Sequence, residues 1–321
     1  MTSVQGGKGG HATITIGSSL AGTPLGSLIT SEINQGIAQI VAVTPSTSVF
    51  VYTPGGLSKP SVGTRFAHAP AKAPSPKTST NIENGAPTTA GETIALQGKA
   101  AGIVLTGTTA AKIVGHGSTP KIPLELLVGN EGNDTITGGG GSGTIISGSG
   151  ANKIHVGSGD MVVYSHGTDD IKGGSGINNI DAFGSATVTA GSGFTVFTDS
   201  GTASSTFSVE GGAGTLMAYS GLGHDTFVGG AGVSFLQDTG HGNVNFEVDT
   251  GGNLIVIQGF DSNAGAKDTL SGSFFTRLAK FDTAGGGNSK VTVTGGSAYI
   301  QLGHTEVVFI GVNSVTTITG T

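Results

Sequence analysis

An all-β fold, a parallel β-roll or β-helix solenoid carrying a small α+β module at its N-terminus, is predicted by three features of the chain. The first is a glycine that returns in steps of nine or eight residues, at Gly132, Gly141, Gly150, Gly159, Gly167, Gly176, Gly184 and Gly193. The second is a large apolar residue four positions after each of them: Ile136, Ile145, Ile154, Val163, Ile171, Ile180, Val188 and Phe197. The third is composition. Sixty of the 321 residues are Gly, Trp and Cys are absent, and only 11% are charged, which disfavours helical bundles and doubly wound α/β folds. Short strands at a fixed period bury their single apolar face only by stacking on the next repeat, and that is a solenoid.

The phase starts at Gly129–Thr137, G-N-E-G-N-D-T-I-T, which fits the nonapeptide G-G-x-G-x-D-x-U-x except at its second glycine. The template expects its glycines to take backbone angles closed to other residues, and its U to point into a thin core. Between Asp199 and Glu210 the frame is disturbed. It returns at Gly214, Gly223, Gly232 and Gly242, with Ala218, Phe227, Leu236 and Phe246 in the apolar slot.

Upstream of the repeats the chain changes character. Ala12–Gly17 and Ser48–Thr53 alternate like strands, and between them Ile29, Ile33, Ile37 and Ile40/Val41 recur at helical steps. Residues 1–53 are therefore expected to form a small α+β module, its helix capped by Ser27 or Gly26. Residues 54–92 hold six of the ten prolines in an Ala/Ser/Lys/Thr background and read as a linker. Residues 93–128 supply lead-in strands, 129–257 the glycine-rich solenoid, and 258–321 a C-terminal β cap.

Charge is divided along the chain. Residues 1–128 carry a net +4 and residues 129–321 a net −10, and all twelve Asp lie in the second part. An acidic repeat region argues against nucleic acid as a partner and for divalent cations. Two nonapeptides per turn place alternate repeats on the same edge, so the sixth-position residues Asp134, Asn152, Asp169 and Ala186 share one edge. Gly143, Met161, Asn178 and Thr195 share the other. Calcium needs six to eight oxygens, and carboxylates, amide oxygens and loop carbonyls all serve. The first edge thus offers two calcium sites, through Asp134 with Asn152 and Asn152 with Asp169. Asp225, in S-G-L-G-H-D-T-F-V, is a further candidate with Val244 at its matching position. The competing reading is that these Asp residues are simply turn formers.

These repeats resemble the RTX (repeats-in-toxin) family of secreted calcium-binding β-rolls, over about residues 129–321. Ile257–Leu270, with G-F-D followed by D-T-L, is similar to the family's closing segment, and Val291–Val312 resembles its terminal hairpins, with Gly295-Gly296 and Gly303-His304 as turns. The resemblance implies calcium ligation at Asp134, Asp169, Asp225 and Asn152, and export through a type I exporter by a C-terminal signal. That agrees with Met1–Lys8, which lacks the apolar run of a cleaved signal peptide. An extracellular or cell-surface location follows, with no membrane span.

Enzymatic motifs are missing from the sequence. There is no H-E-x-x-H, no G-x-S-x-G and no G-x-x-x-x-G-K-[ST]. The eight His are dispersed, and His155 and His166 read as surface residues near Asp160 and Asp169. Asp160, Asp169 and Asp181 on a solenoid face suit a polysaccharide lyase or epimerase, but only Lys153 and Lys172 stand near to neutralise a uronate. The sequence therefore predicts a non-enzymatic structural protein of a cell surface or matrix, binding calcium and partnered by itself or by extracellular polysaccharide. The alternative is the polysaccharide-modifying enzyme.

Overall fold

A computed structural model of the chain describes residues 2–5, 11–14, 22–43, 49–52, 65–67, 80–87, 89–96, 100–116, 124–239, 242–249, 251, 253–260, 268–284 and 289–312. It divides into two compact units, Met1–Ile171 and Lys172–Thr321. Both are built from parallel stacked strands, so the chain is an all-β solenoid with two helices among its described residues. Neither helix is long and apolar enough to cross a membrane.

In the first unit, strands Glu92–Leu96, Ala111–Val114, Thr135–Thr137 and Lys153–His155 pair in parallel, each with the next in that order. Strands Ala100–Leu105, Leu124–Val128, Ser142–Ile146 and Met161–Ser165 form the other sheet in the same way. Alternate strands thus share a sheet, and one turn of the coil takes two repeats. Ile136 pairs with Ile154 and Ile145 with Val163, and all four are fully buried.

The second unit repeats the plan. One sheet runs through Ser185–Thr189, Thr206–Glu210, His224–Val228, Asn243–Glu247 and Thr269–Ser271. The other runs through Ile177–Ala182, Phe194–Asp199, Thr215–Tyr219, Val233–Gln237, Leu254–Gln258 and Thr305–Ile310. Rings fill its core. Phe227 lies 6.3 Å from Phe197 and 6.1 Å from Phe246, both edge-on, the geometry favoured by ring quadrupoles. The disturbed stretch 199–210 is absorbed in a loop before Thr206, after which Val209 pairs with Val188 and Phe227 in register.

The glycines act differently from the template's expectation. None of the eight fourth-position glycines has a positive φ; between residues 124 and 200 only Gly148 and Gly157 do, at +81° and +89°. What excludes a side chain is the neighbouring turn. A Cβ on Gly132 would lie 2.7 Å from the Thr108 carbonyl oxygen, and one on Gly150 would run into the Gly132 carbonyl. Strand spacing of about 4.8 Å leaves no room there for even a methyl group.

Several boundaries depart from expectation. Lys112 pairs with Thr135, so the lead-in strands belong to the same coil as the repeats. Inside the expected linker, Arg65–Ala67 pairs with strand Glu92–Leu96 and Thr80–Gly85 with Val49–Tyr52, whereas residues 53–64 and 68–79 lie outside the described residues. The N-terminal strands Thr2–Gln5 and His11–Ile14 pair with each other, antiparallel.

Helix α1, Pro24–Val43, begins three residues before the expected Ser27 cap, because the Thr23 hydroxyl accepts from the Gly26 amide at 3.0 Å and Pro24 fills the first helical position. Its Ile29, Ile33 and Ile37 pack on Ala101, Val104, Leu126, Val128 and Ile146. These are outward residues of the sheet, so the helix of the N-terminal part covers a solenoid face. A second helix, α2, spans Ser273–Ala284 where only β structure was expected. Gly272 at φ +98° turns the chain into it, the Asp249 carboxylate caps the Ser273 amide at 2.9 Å, and Phe274 and Leu278 supply the buried i, i+4 pair. Beyond it, Ser289–Thr294, Ser297–Leu302 and Thr305–Ile310 form the expected antiparallel hairpins, with positive φ at Gly295, Gly296 and Gly303.

Candidate functional site

The sixth-position residues of the first unit do stack on one edge, and all point inward. Asp134, Asn152 and Asp169 are each at most 3% exposed. Alternation forces this, because residue 134 precedes outward-leaning Thr135 and shares its side with buried Ile136.

Each oxygen has a donor. Asp134 accepts from the Ala111 amide at 2.7 Å through Oδ1 and from the Asn130 amide at 2.8 Å through Oδ2. Asn152 Oδ1 accepts from the Asp134 amide at 2.8 Å, and Asn152 Nδ2 donates to Asp169 Oδ1 at 2.9 Å. Asp169 Oδ2 takes the Ser165 hydroxyl at 2.6 Å. The three form a ladder that satisfies the backbone amides of neighbouring turns, groups that would otherwise be buried without partners. Burial, the largest influence, raises the Asp134 pKa from 3.8 to about 6 against those two amides, which lower it. As arranged, each of these oxygens already accepts an N–H or O–H donor of the protein.

Asp225 differs. It stands between Phe207 and Val244 in the ladder, is 2% exposed, and its Oδ1 has no donor among the described residues. Its Oδ2 receives only the Gly221 amide at 3.4 Å. Desolvation first, then the charges of Asp199 and Asp238, raise its pKa from 3.8 to about 7, with the Gly221 amide opposing. Asp199 is held by the amides of Gly201 at 2.6 Å and Gly223 at 2.9 Å, and Asp238 accepts the Ser220 hydroxyl at 2.7 Å. Three buried carboxylates thus gather around the turn 220–225. They are not close enough to form a cage: among the described residues no three His, Cys, Asp or Glu side chains are placed to hold one ion.

The sequence reading missed Asp199 and Asp238. Both sit two residues after an apolar slot, Phe197 and Leu236, where the template asks for glycine. It also missed Glu125, an inward carboxylate in L-E-L-L-V. Glu125 accepts the amides of His116 at 2.8 Å and Gly139 at 2.7 Å, and burial raises its pKa from 4.5 to about 6. His166 is not a surface residue: its Nε2 lies 2.7 Å from Glu32 Oε2, with both side chains buried under α1. Nor is Asp169 on an outer face with Asp160; it faces the core. His155, Lys153 and Asp160 are exposed, as expected.

No family model, curated protein or solved structure matches this chain.

Proposed function

We propose that this protein is a non-enzymatic structural β-solenoid, a stacked scaffold exported to a cell surface or extracellular matrix, where it acts by adhesion or self-assembly. The observation that carries the reading is the use made of the inward polar residues. Asp134, Asn152, Asp169 and Glu125, the side chains best equipped for chemistry, are bound to backbone amides of adjacent turns. Such bonds hold a scaffold together and engage these four side chains with the coil's own backbone. The resemblance to RTX repeats supports export and a calcium dependence.

For calcium, Asp225 is the residue this reading retains. Its buried, donor-free oxygen beside Asp199 and Asp238 gains from a cation, with carbonyls of the glycine turns completing the shell. Calcium added to chelator-treated protein is then expected to raise the melting temperature, and Asp225→Asn to remove that increment. The structural role itself is tested by incubating the protein with alginate- and pectin-like polymers. Polymer ends should stay saturated, and appearance of unsaturated ends would replace this reading with a polysaccharide lyase.

A further inference from the structure

Within Lys172–Thr321 the two sheets show solvent opposite chemistry. The central outward row of one sheet is Thr187, Ser208, Thr226, Asn245 and Thr269, paired in register. The same row of the other sheet is Asn179, Val196, Met217, Phe235, Val256 and Val308, apolar at five of its six positions. Beside it stand Ile177 at 53% and Phe194 at 38% exposure, with Phe235 at 40%. A polar row costs nothing in water, whereas half-buried Val196, Met217, Val256 and Val308 with exposed Phe235 leave apolar surface there. In the first unit, an outward face with Leu126 and Val128 is covered by α1.

We infer that the apolar sheet face of residues 177–310 is a self-association surface, on which a second copy of this chain packs face to face. This rests on the structural role proposed above and names its contact. Six strands about 4.8 Å apart, each about five residues long at about 3.3 Å per residue with alternate side chains outward, give a face of roughly 450 Å² in projection. Two such faces make roughly 900 Å², above ordinary lattice contacts at under about 800 Å² and below the standard interface of about 1,600 Å². A reversible, concentration-dependent dimer follows. The two rows contain no Lys or Arg, so a strongly acidic partner finds no counter-charge. A copy of the same face is complementary by symmetry, because an isologous contact needs only one surface.

Sedimentation velocity over a wide concentration range tests this. The mass should climb from 31.4 kDa toward twice that value, and Phe194→Thr with Phe235→Thr should hold it at the monomer value with an unchanged melting temperature. The chain has no Cys, so a single Met217→Cys should oxidise to a covalent dimer while Thr226→Cys, on the polar face, stays monomeric. A mass constant at every concentration, a double variant that still dimerises, or equal cross-linking at both cysteines would overturn the inference. So would binding to phosphatidylcholine vesicles in place of dimer formation. None of these results bears on the polymer assay, so the structural role and the contact fail separately.

Discussion

Asp225→Asn should make the protein more stable at pH 8 and leave it unchanged at pH 4, in the presence of chelator. The carboxyl group is buried, one of its oxygens lacks a donor among the described residues, and Asp199 and Asp238 oppose its charge. A folded pKa of about 7 against 3.8 means that the folded state holds this proton more tightly than the unfolded state. Below pH 3.8 both states are protonated, and the residue imposes no charge penalty. As pH rises from about 4 to 7 the unfolded chain ionises first, and stability falls. At 1.36 kcal/mol per factor of ten in proton affinity, the whole gap is worth about 4 kcal/mol above pH 7, a ceiling that residual solvent lowers toward about 2 kcal/mol. The amide keeps the shape and the Gly221 contact without the charge. Guanidinium titrations followed by circular dichroism at pH 4 and pH 8 measure both stabilities. A variant less stable than the parent at pH 8 would show that the ionised carboxylate is satisfied, and the electrostatic reasoning would fail.

Phe227→Ala removes a fully buried ring that touches Phe197 and Phe246, and is expected to cost about 3–5 kcal/mol in the same titrations. Gly150→Ala forces a methyl group against the Gly132 carbonyl and should cost about 1–3 kcal/mol, while Gly251→Ala, with open space around it, should be near neutral. Equal effects at the two glycines would argue against close approach as the reason for the repeat. Glu32→Ala leaves the His166 ring without its buried acid, so amide exchange in 24–43 should accelerate about a hundredfold or more, equivalent to about 3 kcal/mol. Unchanged exchange would mean that the isoleucine stripe alone holds the helix.

The coil was legible in the sequence because its cause is local and periodic. All eight apolar slots from Ile136 to Phe197 are fully buried, and sorting alternate repeats onto one edge placed Asp134, Asn152 and Asp169 together. The reason for the glycines was hidden, since close approach between turns and a left-handed backbone leave the same letter in the sequence. Helix α2 was hidden by brevity: Phe274 and Leu278 give one helical step, which any short apolar run can imitate. The Asp199, Asp225 and Asp238 cluster draws on both sheets, and the loop before Thr206 broke the frame that would have aligned them. Glu32 and His166 lie 134 residues apart, a pairing no local pattern carries.

Two repeats per turn, stacked in register, is the claim on which the rest stands, and engineered disulfides in this cysteine-free chain test it. Ile136 pairs with Ile154 across one strand spacing, about 4.8 Å, within the Cα range of a disulfide. Ile145 belongs to the opposite sheet, in register with Val163. The Ile136→Cys/Ile154→Cys pair should close on oxidation and migrate as a cross-linked monomer, and the Ile136→Cys/Ile145→Cys pair should stay reduced. Closure of the nine-residue pair with the eighteen-residue pair left open would contradict the fold.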